Sequence, residues 1–141
     1  MNNLSFHITD IMANSIRAKA SEIGLFIEER DLRITIRIAD NGLGMDAGTI
    51  ARVTNPFYTT RTTRKVGLGI PFLIQNAEQT GGAVSITSQP GKGTVVTASF
   101  CSNHIDCPPL GDLPGTVAML ITGNPDINIC FEYQAVKTVF S

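Results

Sequence analysis

The chain has 141 residues, 43% of them hydrophobic and 16% charged, with a formal net charge of -1, a size and balance that suit one globular domain with its own core. Near-neutrality leaves no bulk electrostatic footprint for nucleic acid or an anionic membrane surface, and apolar runs of about five or six residues fall far short of a bilayer span. The N-terminus lacks a signal-peptide core and the cysteines, Cys101, Cys107 and Cys130, are odd in number, so the expectation is a cytoplasmic protein with reduced thiols.

In chain order, "FHITDIMANSIRAKASEI" reads as an amphipathic helix, because Ile8, Ile11, Met12, Ile16, Ala20 and Ile23 recur at helical spacing. His7, Asp10, Asn14, Arg17 and Ser21 fall on the opposite face. "LFIEERDLRITIRIAD" predicts two strands joined by a tight charged turn, with Ile34, Ile36 and Ile38 pointing one way. The second strand runs into "DNGLGMD", residues 40–46. A short helix is predicted over "DAGTIARVT", then a polar loop, "NPFYTTRTTRKV", with Arg61, Arg64 and Lys65. "GLGIPFLIQNAEQT" resumes helical spacing and stops at Gly81-Gly82. "AVSITSQ" and "TVVTASF" predict two strands around a "PGKG" turn, and the remainder carries a Pro-rich stretch, an apolar element, an "NPD" turn and an apolar strand. Strands interleaved with helices in this order imply an α/β sandwich with helices on one face of a sheet.

Four pieces of this chain can carry chemistry together: Asp10 with Asn14, "DNGLGMD", "NPFYTT" and "KVGLGIPFL". Each alone has a bland reading, as a solvated helix face, a hairpin turn or a flexible helix start. Taken together they describe a nucleotide site. A glycine-rich turn leading into a helix exposes backbone N–H groups at the positive end of the helix dipole, where phosphate oxygens are held; Gly67 and Gly69 can supply it, with Lys65 as a nearby point charge. Gly42 and Gly44 let the backbone approach a flat ring, and the Asp40 carboxylate can accept a hydrogen bond from an exocyclic amine such as adenine's. The Asn14 amide oxygen suits magnesium, which takes few protein ligands and keeps waters and phosphate oxygens. Asp10 lies one turn earlier on the same side and can orient or deprotonate a nucleophile.

The same pieces resemble the ATP-binding domain shared by DNA gyrase B, the Hsp-type chaperones, sensor histidine kinases and the MutL mismatch-repair proteins, the GHKL superfamily with the Bergerat fold. "DIMANSIRAKA" resembles its N-box, "DNGLGMD" its first glycine box, "NPFYTTRTTRKVGLGIPFL" the F-box, lid and second glycine box, and "GGAVSITSQPGKGTVVTASF" the final hairpin. The resemblance implies a two-layer α/β (α+β) sandwich whose mixed, mostly antiparallel sheet is covered on one face by helices. It divides the chain into an ATP-binding core, 1–102, and a C-terminal extension, 103–141, packed on the same domain as an added helix and strand. That tail resembles those of small stand-alone bacterial ATP-binding proteins.

By the same resemblance, Asn14 is the magnesium ligand, Asp40 reads adenine, and Gly42 and Gly44 form the turn beside the base. Met45 packs near the adenine, Lys65, Gly67, Leu68 and Gly69 line the phosphates, and Thr94 supports the adenine end. Phe57 anchors the lid. Asp10 is the candidate general base, although the ATP-hydrolysing and anti-sigma-factor branches carry glutamate there. His7 is expected to be a capping or exposed histidine. Cys101, His104 and Cys107 form a C-x2-H-x2-C cluster that, with Cys130, could ligate a metal, but the spacing departs from the usual zinc pairs.

The expected function is magnesium-dependent ATP binding with phosphoryl transfer to a separate protein, as in histidine or serine kinases. The chain begins almost at the N-box, so the phosphoacceptor is expected in trans. The alternative is an ATP-switched protein-binding module with slow or no hydrolysis. Nucleic acid and membrane are not expected partners, and the sequence leaves the oligomeric state open.

Overall fold

The computed structural model describes residues 3–54, 69–104 and 107–136. Helix α1 spans Leu4–Arg17 and is capped by Asn3, whose side chain accepts the Phe6 N–H at 2.8 Å. The apolar pattern predicted helix as far as Ile23, but the helix stops earlier. Ala18 is the C-cap, Lys19 adopts a left-handed φ of 65°, and strand β1, Glu22–Arg30, follows. Ile23 satisfies both periods: it continues the helical stripe and it alternates with Leu25 and Ile27 on the buried face of β1. The Asn41 amide resolves the ambiguity, because its oxygen accepts the Ser21 and Glu22 N–H groups at 2.9 and 3.0 Å and fixes an extended chain there.

Strand β2, Arg33–Asp40, returns from a two-residue turn in which Asp31 and Leu32 both have positive φ, 53° and 63°, the geometry that suits the twist of a tight hairpin. Helix α2 spans Ala47–Val53 and is capped by Asp46, which accepts the Thr49 N–H at 2.8 Å. Helix α3, Gly69–Gln79, buries Ile70, Leu73 and Ala77 at helical spacing. Strands β3, Ala83–Gln89, and β4, Gly93–Cys101, form the second hairpin. Helix α4, Leu113–Gly123, starts from the Asp112 cap, and strand β5, Asn128–Val136, ends the described chain.

The strands form one five-stranded sheet in the order β3-β4-β2-β1-β5. The β3–β4, β4–β2 and β2–β1 pairs are antiparallel and β1–β5 is parallel, so the sheet is mixed and mostly antiparallel, with helices on one face, as the motifs implied. The core lies between these layers. Ile23, Leu25 and Ile27, Ile34, Ile36 and Ile38, and Val96, Ala98 and Phe100 alternate inward from three adjacent strands onto α1 and α3, and Leu113 and Val117 of α4 join the same cluster. The edge of this layer where β2 ends, beside α1 and α2, is where the polar groups converge.

Candidate functional site

A cavity of about 330 Å³ opens between α1, α2, the C-terminal end of β2 and the start of β4. Its walls are apolar: Ile11 from α1, Ile38 and Val96 from the sheet and Ile70 from α3. Its polar lining is sparse, with Asn14, Ser15 and Arg17 on α1, Asp40 at the end of β2, Thr49 on α2 and Thr94 on β4. Apolar walls with a few convergent polar groups are the usual make-up of a small-molecule site.

Asp40 is the best-organised group in it. The Ser15 hydroxyl donates to Oδ2 at 2.6 Å and the Gly42 N–H donates to Oδ1 at 2.8 Å. Ser15 is buried at 3% exposure, so this hydrogen bond fixes the carboxylate plane while leaving lone pairs for a ligand donor. Thr94 stands directly opposite Asp40 in the β2–β4 pairing. Its hydroxyl lies 2.7 Å from that of Ser88, which itself donates to the Gly93 carbonyl and accepts the Met45 N–H at 2.8 Å. With the Ser88 proton used on Gly93, Thr94 is the donor to Ser88 and turns acceptor capacity toward the cavity. Gly44, with Met45 beside it, lines the opening. Gly44 has φ of +74°, and a Cβ there would lie 2.0 Å from the Gln89 carbonyl oxygen, so only glycine lets this turn press onto the β3–β4 hairpin. A Cβ on Gly42 would lie 2.7 Å from the Ala18 carbonyl, which explains the other glycine of "DNGLGMD": the turn is wedged between the end of α1 and its own carboxylate.

The other end of the cavity is made of longer side chains. Asn14 lines it, and its Oδ1 accepts a hydrogen bond from the Arg17 guanidinium. Among the described residues no group of three or more His, Cys, Asp or Glu side chains could hold a metal by itself. The donor set present, one neutral amide oxygen, fits magnesium only in company with phosphate oxygens and water; the Arg17 hydrogen bond takes one lone pair of that oxygen and leaves the other. Asp10, one turn before Asn14, is not among the residues lining the cavity. Burial pushes its carboxyl above the ordinary range, and the Arg17 charge draws it partly back.

His7 does not match its expected role as a capping or exposed histidine. It is buried at 1% exposure, its Nε2 is 2.7 Å from the Asn76 amide nitrogen, and it meets Phe72 and Phe6 edge-on at centroid distances of 5.4 and 5.8 Å. Burial lowers its pKa to about 4, so the ring is neutral and forms part of the α1–α3 seam, away from the cavity wall. The polar face of α1 is therefore interrupted at its first turn, where α3 packs on it.

Lys65, Gly67, Leu68 and Phe57 lie outside the described residues; Gly69 is the first residue of α3. Cys101, Cys107 and Cys130 are free thiols. Cys130 cannot complete a metal cluster with the other two, because β1 and β2 lie between β5 and β4 and Cys130 pairs with Gly24 while Cys101 pairs with Arg33, at the opposite end of the sheet. Ser15, Arg17, Thr49 and Ser88 were not among the residues expected to form the site. Adjacency to Asn14 was the one sequence signal for Ser15; for Ser88 there was none.

Residues 3–104 match the family described as "Histidine kinase-, DNA gyrase B-, and HSP90-like ATPase". The chain is similar to sensor histidine kinase YvrG of Bacillus subtilis (strain 168), 28% identical over 99 residues, covering 66% of this chain and 17% of that protein. It is similar to sensor histidine kinase YxdK of the same organism, 29% identical over 106 residues, covering 69% and 32%. Sensor protein kinase FleS of Pseudomonas aeruginosa is 35% identical over 93 residues, covering 64% and 23%. The chain thus spans between 17% and 32% of the length of these three relatives.

Proposed function

Because the chain belongs to the histidine kinase-, DNA gyrase B- and HSP90-like ATPase family, we propose that it binds Mg-ATP in the α1–α2–β2–β4 cavity and transfers the γ-phosphoryl group to a separate protein. The observation that carries this reading is the Asp40 carboxylate, held from both sides by Ser15 and Gly42 at the edge of an apolar cavity. A carboxylate so fixed accepts a hydrogen bond from the exocyclic amine of adenine and discriminates against a keto group at that position. Ile38 and Val96, paired neighbours on β2 and β4, form one apolar wall for the ring side by side, Thr94 offers an acceptor, and Gly44 and Met45 close over it. Asn14 and Arg17 take the phosphate end, and the Lys65 to Gly69 segment supplies further donors to the phosphates. Asn14, together with phosphate oxygens, would hold magnesium, which would supply charge neutralisation there.

Asp10 is the general base of this reading. An acceptor oxygen or nitrogen attacks the γ-phosphorus, the bond to ADP breaks, and the acceptor proton passes to Asp10, whose raised pKa suits proton uptake. No described helix is long and apolar enough to cross a membrane, and a cytoplasmic protein acceptor fits the reading. In it, residues 1–102 are the nucleotide core and 103–141 an extension of the same domain. One observation favours the alternative, an ATP-switched binding module: Asp10 does not line the cavity.

Calorimetric titration with ATP and ADP, with and without magnesium, tests the site. Asp40→Asn is expected to weaken binding about 100-fold, the loss of a hydrogen bond to a charged group together with an introduced donor-donor clash. Binding indifferent to Asp40→Asn removes the proposal. Asp10→Asn then separates the two readings, since it is expected to abolish transfer while leaving affinity intact; unchanged turnover rules out the base role.

A further inference from the structure

The two edges of the sheet differ. The β3 edge is seven residues long and carries no large exposed apolar side chain. The opposite edge, β5, runs nine residues, pairs with β1 without a break from Asn128 to Val136, and has no strand on its outer side among the described residues. Proteins usually protect such an edge with proline, lysine, a bulge or shortness. "NICFEYQAV" has none of these, and its one protecting charge is the exposed Glu132. Beside it, α4 has the sequence "LPGTVAMLITG", with no charged residue; Leu113 and Val117 are buried, but Met119 is 77% and Ile121 45% exposed, and Tyr133 on β5 is 45% exposed. This α4–β5 unit lies beyond the residues that match the family, 3–104, so the nucleotide site does not account for its exposed apolar surface.

We propose that the β5 edge pairs with the β5 edge of a second copy of this chain, antiparallel about a two-fold axis, so that two five-stranded sheets become one. Charge argues for this occupant. A two-fold contact sets each residue against a residue of the same strand, so any charge must avoid its own image. With Phe131 opposite Phe131, Tyr133 faces Ile129, Gln134 faces Asn128, and the strand's single charge, Glu132, faces Cys130. The two α4 helices then lie on the same face of the joined sheet, and neither carries a charge to oppose the other. A net charge of -1 per chain adds little repulsion. The fully overlapped register, centred on Glu132, is disfavoured because it juxtaposes the two carboxylates.

Sedimentation velocity over a concentration series of the full chain tests the proposal. The unmodified protein is expected to be a dimer that dissociates on dilution. Cys130→Glu places a carboxylate opposite Glu132 at two symmetric positions and is expected to weaken the dimer about tenfold or more. Cys130 is exposed, so the circular dichroism spectrum and nucleotide affinity should not change. Adding Glu132→Lys to Cys130→Glu restores opposite charges at both positions and is expected to restore the dimer. A monomeric unmodified protein at every soluble concentration overturns the proposal, as does a dimer that Cys130→Glu leaves unchanged.

Discussion

The two ends of the cavity are held in different ways. At the end proposed for the base, the groups are fixed by backbone and by short side chains: Asp40 by the Ser15 hydroxyl and the Gly42 N–H, and Thr94 by Ser88, which also anchors the Met45 N–H. At the end proposed for the phosphates, Asn14 and Arg17 are held by one another across one helical turn. The first arrangement is finished before any ligand arrives, and its interactions cost little ordering when one does. The second is looser, because one exposed hydrogen bond between two side chains holds it. If the proposed function holds, a base alone should find its site ready, whereas a triphosphate meets side chains held only by one another.

Three changes break or sharpen that contrast. The largest acts on the support of the helix that carries Asn14 and Arg17, since α1 rests on α3 through His7. The folded-state pKa of His7 is about 4, below its ordinary value of 6.5, so the unfolded chain takes up this proton first as the pH falls. The neutral ring's contribution is fully present above about pH 6.5 and is lost progressively toward pH 4, amounting to roughly 3 kcal/mol. Urea denaturation across this range should show the decline, and His7→Leu should flatten it. A slope unchanged in His7→Leu would assign the acid sensitivity elsewhere. Asp10 acts with the opposite sign, because its raised pKa means that protonation relieves a burial penalty.

Next in size is Ser15→Ala, which removes a donor from the Asp40 carboxylate but leaves the carboxylate in place. Affinities for adenosine and for ATP are both expected to fall about tenfold. A loss confined to ATP would show that Ser15 serves the phosphate end instead. The smallest effect belongs to Arg17→Ala: ATP affinity drops up to about fivefold, as for a partly exposed charge, adenosine affinity stays constant, and the salt dependence of ATP binding becomes shallower. Equal losses for both ligands would remove the distinction between the two ends.

The parts of this site legible in the sequence are those in which one residue's chemistry carries the signal. Asp40 ends an alternating strand and is followed by two glycines, and Thr94 follows the second hairpin turn; both lie on the cavity. The residues that orient them are not legible, because their partners are distant along the chain: Ser15 is 25 residues from Asp40 and Ser88 is 43 from Met45. His7 misled for a related reason. Its spacing from Asp10 and Asn14 places it on the polar face of α1, and only the approach of Asn76 and Phe72 from α3 makes that position interior. The end of α1 misled because isoleucine at position 23 obeys both the helical and the strand period. The family membership itself was legible because four weak motifs occur in order.

The turn from Asp40 to Gly44 at the edge of the cavity also bears on how long the protein lasts. Asn-Gly is the dipeptide most prone to spontaneous deamidation, in which the glycine nitrogen attacks the asparagine side-chain carbon to form a succinimide. Here the Asn41 amide is engaged at both ends, its oxygen by Ser21 and Glu22 N–H groups and its nitrogen on the Ser21 hydroxyl at 2.9 Å, while the Gly42 nitrogen is bonded to Asp40. Neither reacting group is free to turn toward the other. The folded chain therefore shields the Asn41 side-chain amide, and chemical ageing of Asn41 becomes a clock that runs mainly while the turn is open.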